Sequence, residues 1–436
     1  MAGSICRFAR DPAIFAALTD GQNYGLCPDS AVRRVFTACH AQDCRSINQL
    51  IADFCRVCGL RLDICGDGQP GPQLFWSVPA YPPIGTGYLV TPQMLVRGDV
   101  LVTPQNLNLV LTTISNGNSV GSIANPGAGS FSSSPLGIRE RIYSCSPGRL
   151  LEYSLVTREM QSHDLGGFQP SESTIPVHVS GQGTDYIVVP GKTKPKGKVE
   201  LLIYDIKSRD SLVFQLTLSP EDSFFTPVSL PRAGVFLTTR RGAAFIASNK
   251  GAALSDWKVG RVPVRVELPR QKYFSAPARC PTTGMLFVQS VDAASLDRGM
   301  WVVTTRGQKH FRLGTPPEKY DSDSLDLLIF PPLVYEGQAV VRSMSPGTCH
   351  FVSAAQAQTI SIGGLSLDPI ATTAGNGKIL TVSDGTVQVF KFLPGHQPAD
   401  SIGIGALAFG PAVNKPVYFL GKIFIQTPTR LIGWEV

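Results

Sequence analysis

Cysteine is the residue type in this chain with the clearest potential for chemistry, because seven of the ten cysteines fall within the first 65 residues. Cys55 and Cys58 form a CxxC pair, and Cys39 and Cys44 lie upstream of it. Thiolates two or three residues apart can converge on one tetrahedral Zn²⁺ ion. These four cysteines are therefore candidate ligands of a structural zinc.

Two other interpretations of the same cysteines compete with zinc. Cys55 and Cys58 lie on the apolar face of a predicted helix, where cysteine behaves as a small hydrophobic residue. Buried thiols are therefore the favoured interpretation, and disulfides formed after incorporation into an oxidised particle are the third. A redox role for the CxxC pair would need a βαβ context, which the sequence does not predict.

The histidines show no spacing that is typical of a metalloprotease or a deaminase; they are His40, His163, His178, His310, His350 and His396. The sequence also has no G-x-S-x-G nucleophile elbow, no Walker A motif and no dinucleotide-binding glycine pattern. We therefore predict no catalytic residue and no cofactor other than the candidate zinc. An active site built from distant single residues would escape such a search, so an enzyme remains an alternative.

The clearest basic cluster lies in the stretch PGKTKPKGK and consists of Lys192, Lys194, Lys196 and Lys198. The favoured interpretation is a solvated hairpin tip, in which lysine keeps a sheet edge soluble. The alternative is a nucleic-acid contact through residues 192–198, Arg240, Arg241 and Lys250, whose affinity would fall steeply with salt. The net charge of +7 is modest for 436 residues, so we favour protein partners over nucleic acid.

The overall composition favours many short strands joined by tight turns. Charged residues make up only 16% of the chain, and the counts of 43 glycines and 34 prolines are high. Hydrophobic residues make up 43% of the chain, which is enough to build a core. The first residues lack the apolar run of a signal peptide, and no stretch approaches the roughly 18 apolar residues that a membrane span needs. We therefore expect a soluble protein that is synthesised in the cytoplasm.

Residues 1–70 are predicted to form a small helical segment that is rich in cysteine. Apolar residues recur on one face of two short helices and are candidates for partner binding; they are Val32, Val35, Phe36, Leu50, Ile51 and Phe54. Helices this short are not stable alone, so we expect them to pack on each other or on a neighbouring protein. The stretch GDGQPGPQ marks the end of this segment.

Strand patterns replace the helical pattern after this point. Residues 71–136 are predicted to be a connector with some strands, and its Gly/Ser-rich stretch 116–137 could be a linker or a long surface loop. Residues 137–436 contain seven groups of strands, whose first strands are predicted at 141–145, 186–189, 235–239, 285–289, 339–344, 379–382 and 417–420. Their spacing of roughly 40 to 55 residues is the repeat length of four-stranded propeller blades.

The sequence pattern is similar from one group to the next: an apolar strand, a turn with glycine, and a second strand. Examples are TDYIVVPGKTKPKGKVELLIYD, GNGKILTVSDGTVQVFKF and KPVYFLGKIFIQTPTRLIGW. In this respect the chain resembles the β-propeller proteins. The resemblance concerns architecture only, because the repeated dipeptides of WD-type and kelch-type blades are missing. It implies a mainly β protein with a propeller of six to eight blades, seven being favoured; a pair of β-sandwiches is the alternative.

These features favour a non-enzymatic structural or scaffolding protein in a large assembly. The low charge and the abundance of Gly, Pro, Ser and Thr resemble the composition of virion proteins, such as phage tail or baseplate components. In this hypothesis the propeller presents its surface to protein partners, and the N-terminal helices dock onto a neighbour. The competing hypothesis is an enzyme or ligand-binding protein that uses the central channel of the propeller.

Overall fold

The computed structural model describes residues between Gln73 and Glu435, with gaps of which the longest are 82–92, 126–132, 265–271, 315–330, 362–371 and 407–412. The predicted helical segment of residues 1–70 lies outside the described residues. Within them the chain forms β-strands almost throughout, with one 3-10 helix at Leu254–Asp256. None of the described helical structure has the length and hydrophobicity to cross a membrane.

The described strands form eight antiparallel sheets, which we number 1 to 7 in chain order, followed by a closing sheet. Sheet 1 contains β2 (Leu95–Arg97), β3 (Val100–Gln105), β4 (Asn108–Thr113) and β5 (Ser119–Ala124). Sheet 2 contains β6 (Leu136–Ile138), β7 (Arg141–Ser146), β8 (Arg149–Ser154) and β9 (Met160–Asp164). Sheet 3 contains β10 (Gln169–Pro170), β11 (Val177–Gly181), β12 (Thr184–Lys192), β13 (Glu200–Asp205) and β14 (Ser211–Gln215).

The next sheets follow the same antiparallel pattern. Sheet 4 contains β15 (Val228–Leu230), β16 (Gly234–Thr238), β17 (Ala244–Asn249) and β18 (Trp257–Arg261). Sheet 5 contains β19 (Lys272–Phe274), β20 (Ala278–Arg279), β21 (Leu286–Asp292), β22 (Arg298–Thr304) and β23 (Gly307–Gly314). Sheet 6 contains β24 (Leu333–Tyr335), β25 (Gln338–Arg342), β26 (Thr348–Val352) and β27 (Ala357–Ser361).

Sheet 7 contains β28 (Thr372–Gly375), β29 (Lys378–Ser383), β30 (Thr386–Phe392) and β31 (Pro398–Ala406). The closing sheet joins the two ends of the described chain, because β1 (Gln73–Pro79) pairs with β34 (Arg430–Glu435). Its remaining strands are β32 (Val417–Phe419) and β33 (Lys422–Gln426).

The first strands of the sheets contact one another in a closed circle, and in sheets 3 and 5 the strands that count as first in this sense are β11 and β20. Strand β2 contacts β6, β6 contacts β11, and the series continues through β15, β20, β24 and β28 to β32, which contacts β2 again. A circular series of four-stranded antiparallel sheets is the arrangement of a β-propeller, as the sequence predicted, and differs from a pair of sandwiches. The sequence favoured seven blades, and the described residues contain eight sheets, the upper end of the predicted range.

The hydrophobic core lies between neighbouring sheets. Val102 and Leu111 of sheet 1 pack with Ile142 and Leu151 of sheet 2, and equivalent clusters join most of the other neighbours. The two middle strands of a sheet are therefore covered on both faces, and β13 is buried at every position. The outer strands are largely exposed, as in β9, where four of five residues face solvent.

Strand β1 holds the ends of the chain together through Trp76. Its indole N–H donates to the carbonyl of Ile114 in sheet 1 at 2.8 Å, and its ring stacks on Phe424 at 5.7 Å. A Cβ at Gly433 would lie 2.9 Å from the indole, so glycine is required there for the ring to approach. The predicted connector of residues 71–136 thus contributes the closing strand and the whole of sheet 1, and its Gly/Ser-rich stretch contains β5.

Candidate functional site

A group of ionisable side chains lies where sheet 2 faces sheet 3. We call the end of each sheet that carries the turns between its first and second and between its third and fourth strands the upper rim. Away from this rim the cleft is filled by apolar residues, including Cys145, Leu150, Val189 and Leu202. Towards the rim, ionisable side chains from both sheets replace them.

Glu152 of β8 is the buried acid of this cleft, with a side chain only 5% exposed. It forms an ion pair with Arg141, and its second oxygen lies 2.9 Å from Nε2 of His163. Burial, and then the charges of Arg209 and Arg141, lower the pKa of His163 below its ordinary value. The imidazole is therefore neutral at pH 7, and because a carboxylate only accepts, Nε2 carries the hydrogen that it donates to Glu152.

Two tyrosines lie beside this group. The Tyr204 ring is 5.6 Å from the His163 ring, and burial raises the pKa of Tyr204 to about 12. Burial also raises the pKa of Tyr143, although the positive charge of Arg141 opposes the shift. Both phenols are therefore protonated donors. The buried hydroxyl of Tyr204 has no hydrogen-bond partner among the described residues.

Asp185, at the start of β12, is the second acid of the cleft. One oxygen accepts from Ser180 at 2.6 Å and lies 2.9 Å from Nε2 of His178, while the other accepts from Arg139 at 3.0 Å. Burial alone would raise the pKa of Asp185, but the hydrogen bonds from Ser180 and His178 and the charges of His178 and Arg139 lower it. Asp185 is therefore an ionised anchor at neutral pH.

The serine, histidine and aspartate of this group do not form a proton relay. In a catalytic triad the acid binds one imidazole nitrogen and the nucleophile binds the other. Here Nε2 of His178 lies close to both Asp185 and Ser180, at 2.9 and 3.1 Å, and Ser180 also bonds the acid directly. This geometry orients the three side chains and leaves Ser180 without an activating base.

Two arginine contacts cross the cleft between the sheets. Arg139 of sheet 2 reaches Asp185 of sheet 3, and Arg209 of sheet 3 donates to the side-chain oxygen of Gln161 of sheet 2 at 3.0 Å. Arg139 is 83% exposed in its ion pair. The crossings therefore lie at the surface, where each contributes little to stability on its own.

A cavity of about 360 Å³ opens beside the first strands of sheets 2 to 5; it is lined by Leu136, Pro176, Val177, His178, Pro227, Val228, Ser229, Arg279 and Pro281. The lining is mostly apolar, with His178 and Arg279 as its basic groups. Its volume is at the lower end of the range for small-molecule sites. No group of three potential metal ligands occurs in the part of the chain that the structure describes.

The structure describes only some of the candidate residues that the sequence indicated. The zinc candidates Cys39, Cys44, Cys55 and Cys58 lie outside the described residues, as do the partner-binding candidates Val32, Val35, Phe36, Leu50, Ile51 and Phe54. Lys192 ends strand β12, whereas Lys194, Lys196 and Lys198 lie outside the description. The cysteines that are described are buried free thiols: Cys145, Cys280 and Cys349.

The remaining basic residues do not gather in one place. Arg240 and Arg241 lie in the turn between β16 and β17, and Lys250 follows the other end of β17. The strand separates them by about 20 Å at the usual rise per residue. A single nucleic-acid strand would therefore have to contact both rims of sheet 4 to reach all three.

Sequence reasoning missed the cleft because its members are far apart in the chain. Its acids, Glu152 and Asp185, are separated from their partners by between 5 and 46 residues. A weak local signal did exist: three arginines in turns at the upper rim are each followed by an acid, in Arg139-Glu140, Arg158-Glu159 and Arg209-Asp210. Such a dipeptide is common in solvated turns, so it would not have identified a site without the fold.

No protein-family model matches the chain, and no curated protein matches its sequence. Among solved structures, the chain is similar to BamB from Moraxella catarrhalis, with a TM-score of 0.55 and 10% identity over 84% of this chain and 98% of that one. It is also similar to apo AztD from Citrobacter koseri, with a TM-score of 0.46 and 10% identity over 74% and 87% of the two chains. An oligogalacturonate lyase in complex with manganese gives a TM-score of 0.44 and 10% identity over 85% and 98%.

At these identities the similarity concerns the fold alone. The alignment covers nearly the whole length of BamB and most of this chain, which agrees with the closed circle of sheets. The protein is therefore of the β-propeller class. Because one fold carries many unrelated activities, the function has to be argued from the residues of this chain.

Proposed function

We propose that this protein is a non-enzymatic scaffold that presents the surfaces of its β-propeller to protein partners in a larger assembly. The observation that carries the proposal is the pairing of the cleft acids. Glu152 is held by Arg141 and His163, and Asp185 is held by Arg139 and His178. Both acids are therefore already paired, Glu152 within sheet 2 and Asp185 through His178 of its own sheet and Arg139 of sheet 2.

The same pairing disfavours a catalytic role for the cleft. A general base must have a pKa near the working pH and a free position next to the substrate. The pKa of Asp185 is lowered, and its oxygens already accept from Ser180 and Arg139. His163 is neutral, but its Nε2 is committed to Glu152. A rigid support is therefore the function that best uses these residues.

The proposal includes a role for residues 1–70 in docking onto a neighbouring protein. The topology supports this role, because β1 is the outermost strand of the closing sheet and the chain therefore enters the ring at its perimeter. A segment attached there can contact a neighbour without crossing the channel. The composition, which resembles that of virion components, supports a particle of the phage tail or baseplate type as the assembly.

The test compares the full chain with a variant that lacks residues 1–70. We expect the full chain to form species larger than a monomer in size-exclusion chromatography with light scattering, and the shortened chain to be monomeric. Far-UV circular dichroism and thermal melting serve as controls that the propeller is still folded. Two folded proteins with the same oligomeric state would show that the segment has no docking role.

A further inference from the structure

Three exposed arginines on the upper rim of sheets 2 and 3 have a left-handed backbone conformation. The φ angles are 51° at Arg139, 60° at Arg158 and 65° at Arg209. The only other non-glycine residue with positive φ in the described part of the chain is Asn106, at 49°. Asparagine adopts this conformation readily, whereas arginine has no short polar side chain that would favour it.

Sheet 1 contains the same turn as sheets 2 and 3 with glycine in place of arginine. In the turn between the third and fourth strands, Arg158 and Arg209 donate their backbone N–H groups to the carbonyl four residues earlier at 2.9 Å. Gly117 makes the same hydrogen bond at 2.9 Å and has a φ of 76°. The backbone hydrogen bonds therefore form equally well without arginine.

The turn between the first and second strands shows the same replacement. Gly98 of sheet 1 has a φ of 65° and corresponds to Arg139 of sheet 2. In both sheets the carbonyl of the following residue, Asp99 or Glu140, accepts a hydrogen bond of 2.9 Å from the neighbouring turn. A Cβ at Gly98 would meet no heavy atom within 4 Å, so glycine there reflects the backbone conformation alone.

An arginine in a left-handed turn is a local cost that the fold itself does not require. Strain of this kind is concentrated at functional positions, where an interaction outside the turn compensates for it. Arg158 makes no ion pair with any described residue, and Arg139 and Arg209 make only the exposed contacts described above. Contacts within the described part of the chain therefore offer these side chains little compensation.

The chemistry around the arginines indicates the class of partner. Val156 and Met160 lie in the same region of sheet 2 and are 66% and 43% exposed. Arginine and methionine are enriched in protein interfaces, and exposed apolar side chains favour burial against another protein. Glu140, Glu159 and Asp210 follow the three arginines, so the positive charge of the rim is interrupted and suits separate carboxylates better than a continuous phosphate backbone.

We propose that Arg139, Arg158 and Arg209 form a docking surface, the arginine rim, for a protein partner that presents carboxylate side chains. This inference rests on the proposed scaffold function and assigns one of its surfaces and the chemistry of the partner that binds there. The guanidinium groups bind carboxylates in fixed fork geometry, and Val156 and Met160 receive an apolar side chain of the same partner.

The experiment measures binding of a fluorescein-labelled peptide of glutamate and leucine residues, separated by glycine and serine, to the full chain by fluorescence anisotropy. We expect binding that weakens with added salt. In the variant R139G/R158G/R209G the affinity should fall by about tenfold, since each exposed ion pair contributes modestly. The control is Arg149→Gln, which removes an exposed arginine at the opposite rim of sheet 2 and should bind as the wild type does.

Thermal melting separates the docking role from a structural one. If the arginines serve a partner, R158G should melt no lower than the wild type, because glycine relieves the left-handed turn. Lower melting with unchanged peptide binding would overturn the inference, and so would preferential binding of a single-stranded DNA oligonucleotide. Intact assembly of the full chain together with either result would leave the scaffold function standing and reject only the arginine rim.

Discussion

The two faces of sheet 3 differ in chemistry although the same strands build them. Along β12, side chains alternate between the two neighbours, so that Tyr186 faces sheet 4 and Ile187 faces sheet 2. The face towards sheet 4 is closed by aromatic contacts, with the Tyr186 ring 5.3 Å from Trp257 in an edge-on arrangement. The face towards sheet 2 ends at Asp185, whose ion pair with Arg139 crosses to sheet 2.

This difference shows how a propeller can assign stability and interaction to different interfaces. Apolar burial between sheets 3 and 4 is non-directional and contributes directly to the free energy of folding. Polar contacts between sheets 2 and 3 contribute less, because the one ion pair that the structure describes among them, Arg139–Asp185, is exposed and screened by solvent. Their advantage is that they set charged groups in fixed positions below the arginine rim.

The largest expected effect comes from breaking the apolar face. Trp257 is 2% exposed within the cluster between sheets 3 and 4. Trp257→Ala should lower the free energy of unfolding by about 3–5 kcal/mol, as other truncations of buried aromatic residues do. Urea unfolding followed by circular dichroism measures the change. A loss below about 1 kcal/mol would show that this interface is not the more strongly packed of the two.

A smaller effect, which depends on pH, is expected on the polar face. The pKa of His163 is lowered in the folded protein, so the unfolded chain takes up the proton more readily. The stability that His163 contributes is therefore present above its unfolded pKa of about 6.5 and is lost as the pH falls below that value. In His163→Gln this part of the acid destabilisation should disappear.

The measurement is the difference in urea midpoint between the wild type and His163→Gln across the pH range from neutral to mildly acidic. His350 has the same sign, because burial and then the charge of Arg298 lower its pKa to about 4. That contribution is common to both proteins and cancels in the difference. Parallel curves for the two proteins would refute the assignment to His163.

The smallest effect distinguishes the two tyrosines of sheet 3. The Tyr186 hydroxyl accepts from the side-chain amide of Asn249 at 3.1 Å, whereas the Tyr204 hydroxyl has no described partner. Tyr186→Phe should therefore cost about 1 kcal/mol of stability, and Tyr204→Phe should be neutral or slightly stabilising. Thermal melting of the two variants gives the comparison, and a greater loss for Tyr204→Phe would contradict the description of this cleft.

The middle strands of the sheets were predictable from the sequence because both of their faces are buried. Segments 199–204 and 235–239 each contain three or more consecutive apolar residues, and the structure has strands there at Glu200–Asp205 and Gly234–Thr238. Strand β5 was missed inside the Gly/Ser-rich stretch, since its largely exposed residues carry no hydrophobic signal. First strands of three residues, such as β6, are too short for any periodicity to be visible.

The candidate site could not be predicted in the same way. The sequence drew attention to cysteines and lysines, which are clustered along the chain, whereas the cleft brings together residues of different strands. Arg139 and Asp185 are 46 positions apart and meet only because consecutive sheets face each other. The left-handed backbone conformation of the three arginines could not be predicted either, because arginine is not one of the residue types that indicate such a turn.

The pairing of β1 with β34 determines when the ring can be completed during protein synthesis. Sheets 1 to 7 consist of strands that are consecutive in the chain, so each can form soon after it leaves the ribosome. Strand β1 emerges before all of them but has no partner until β34, the last described strand, has been made. Closure is therefore expected to be the final and slowest step of folding, since it joins the most distant parts of the chain.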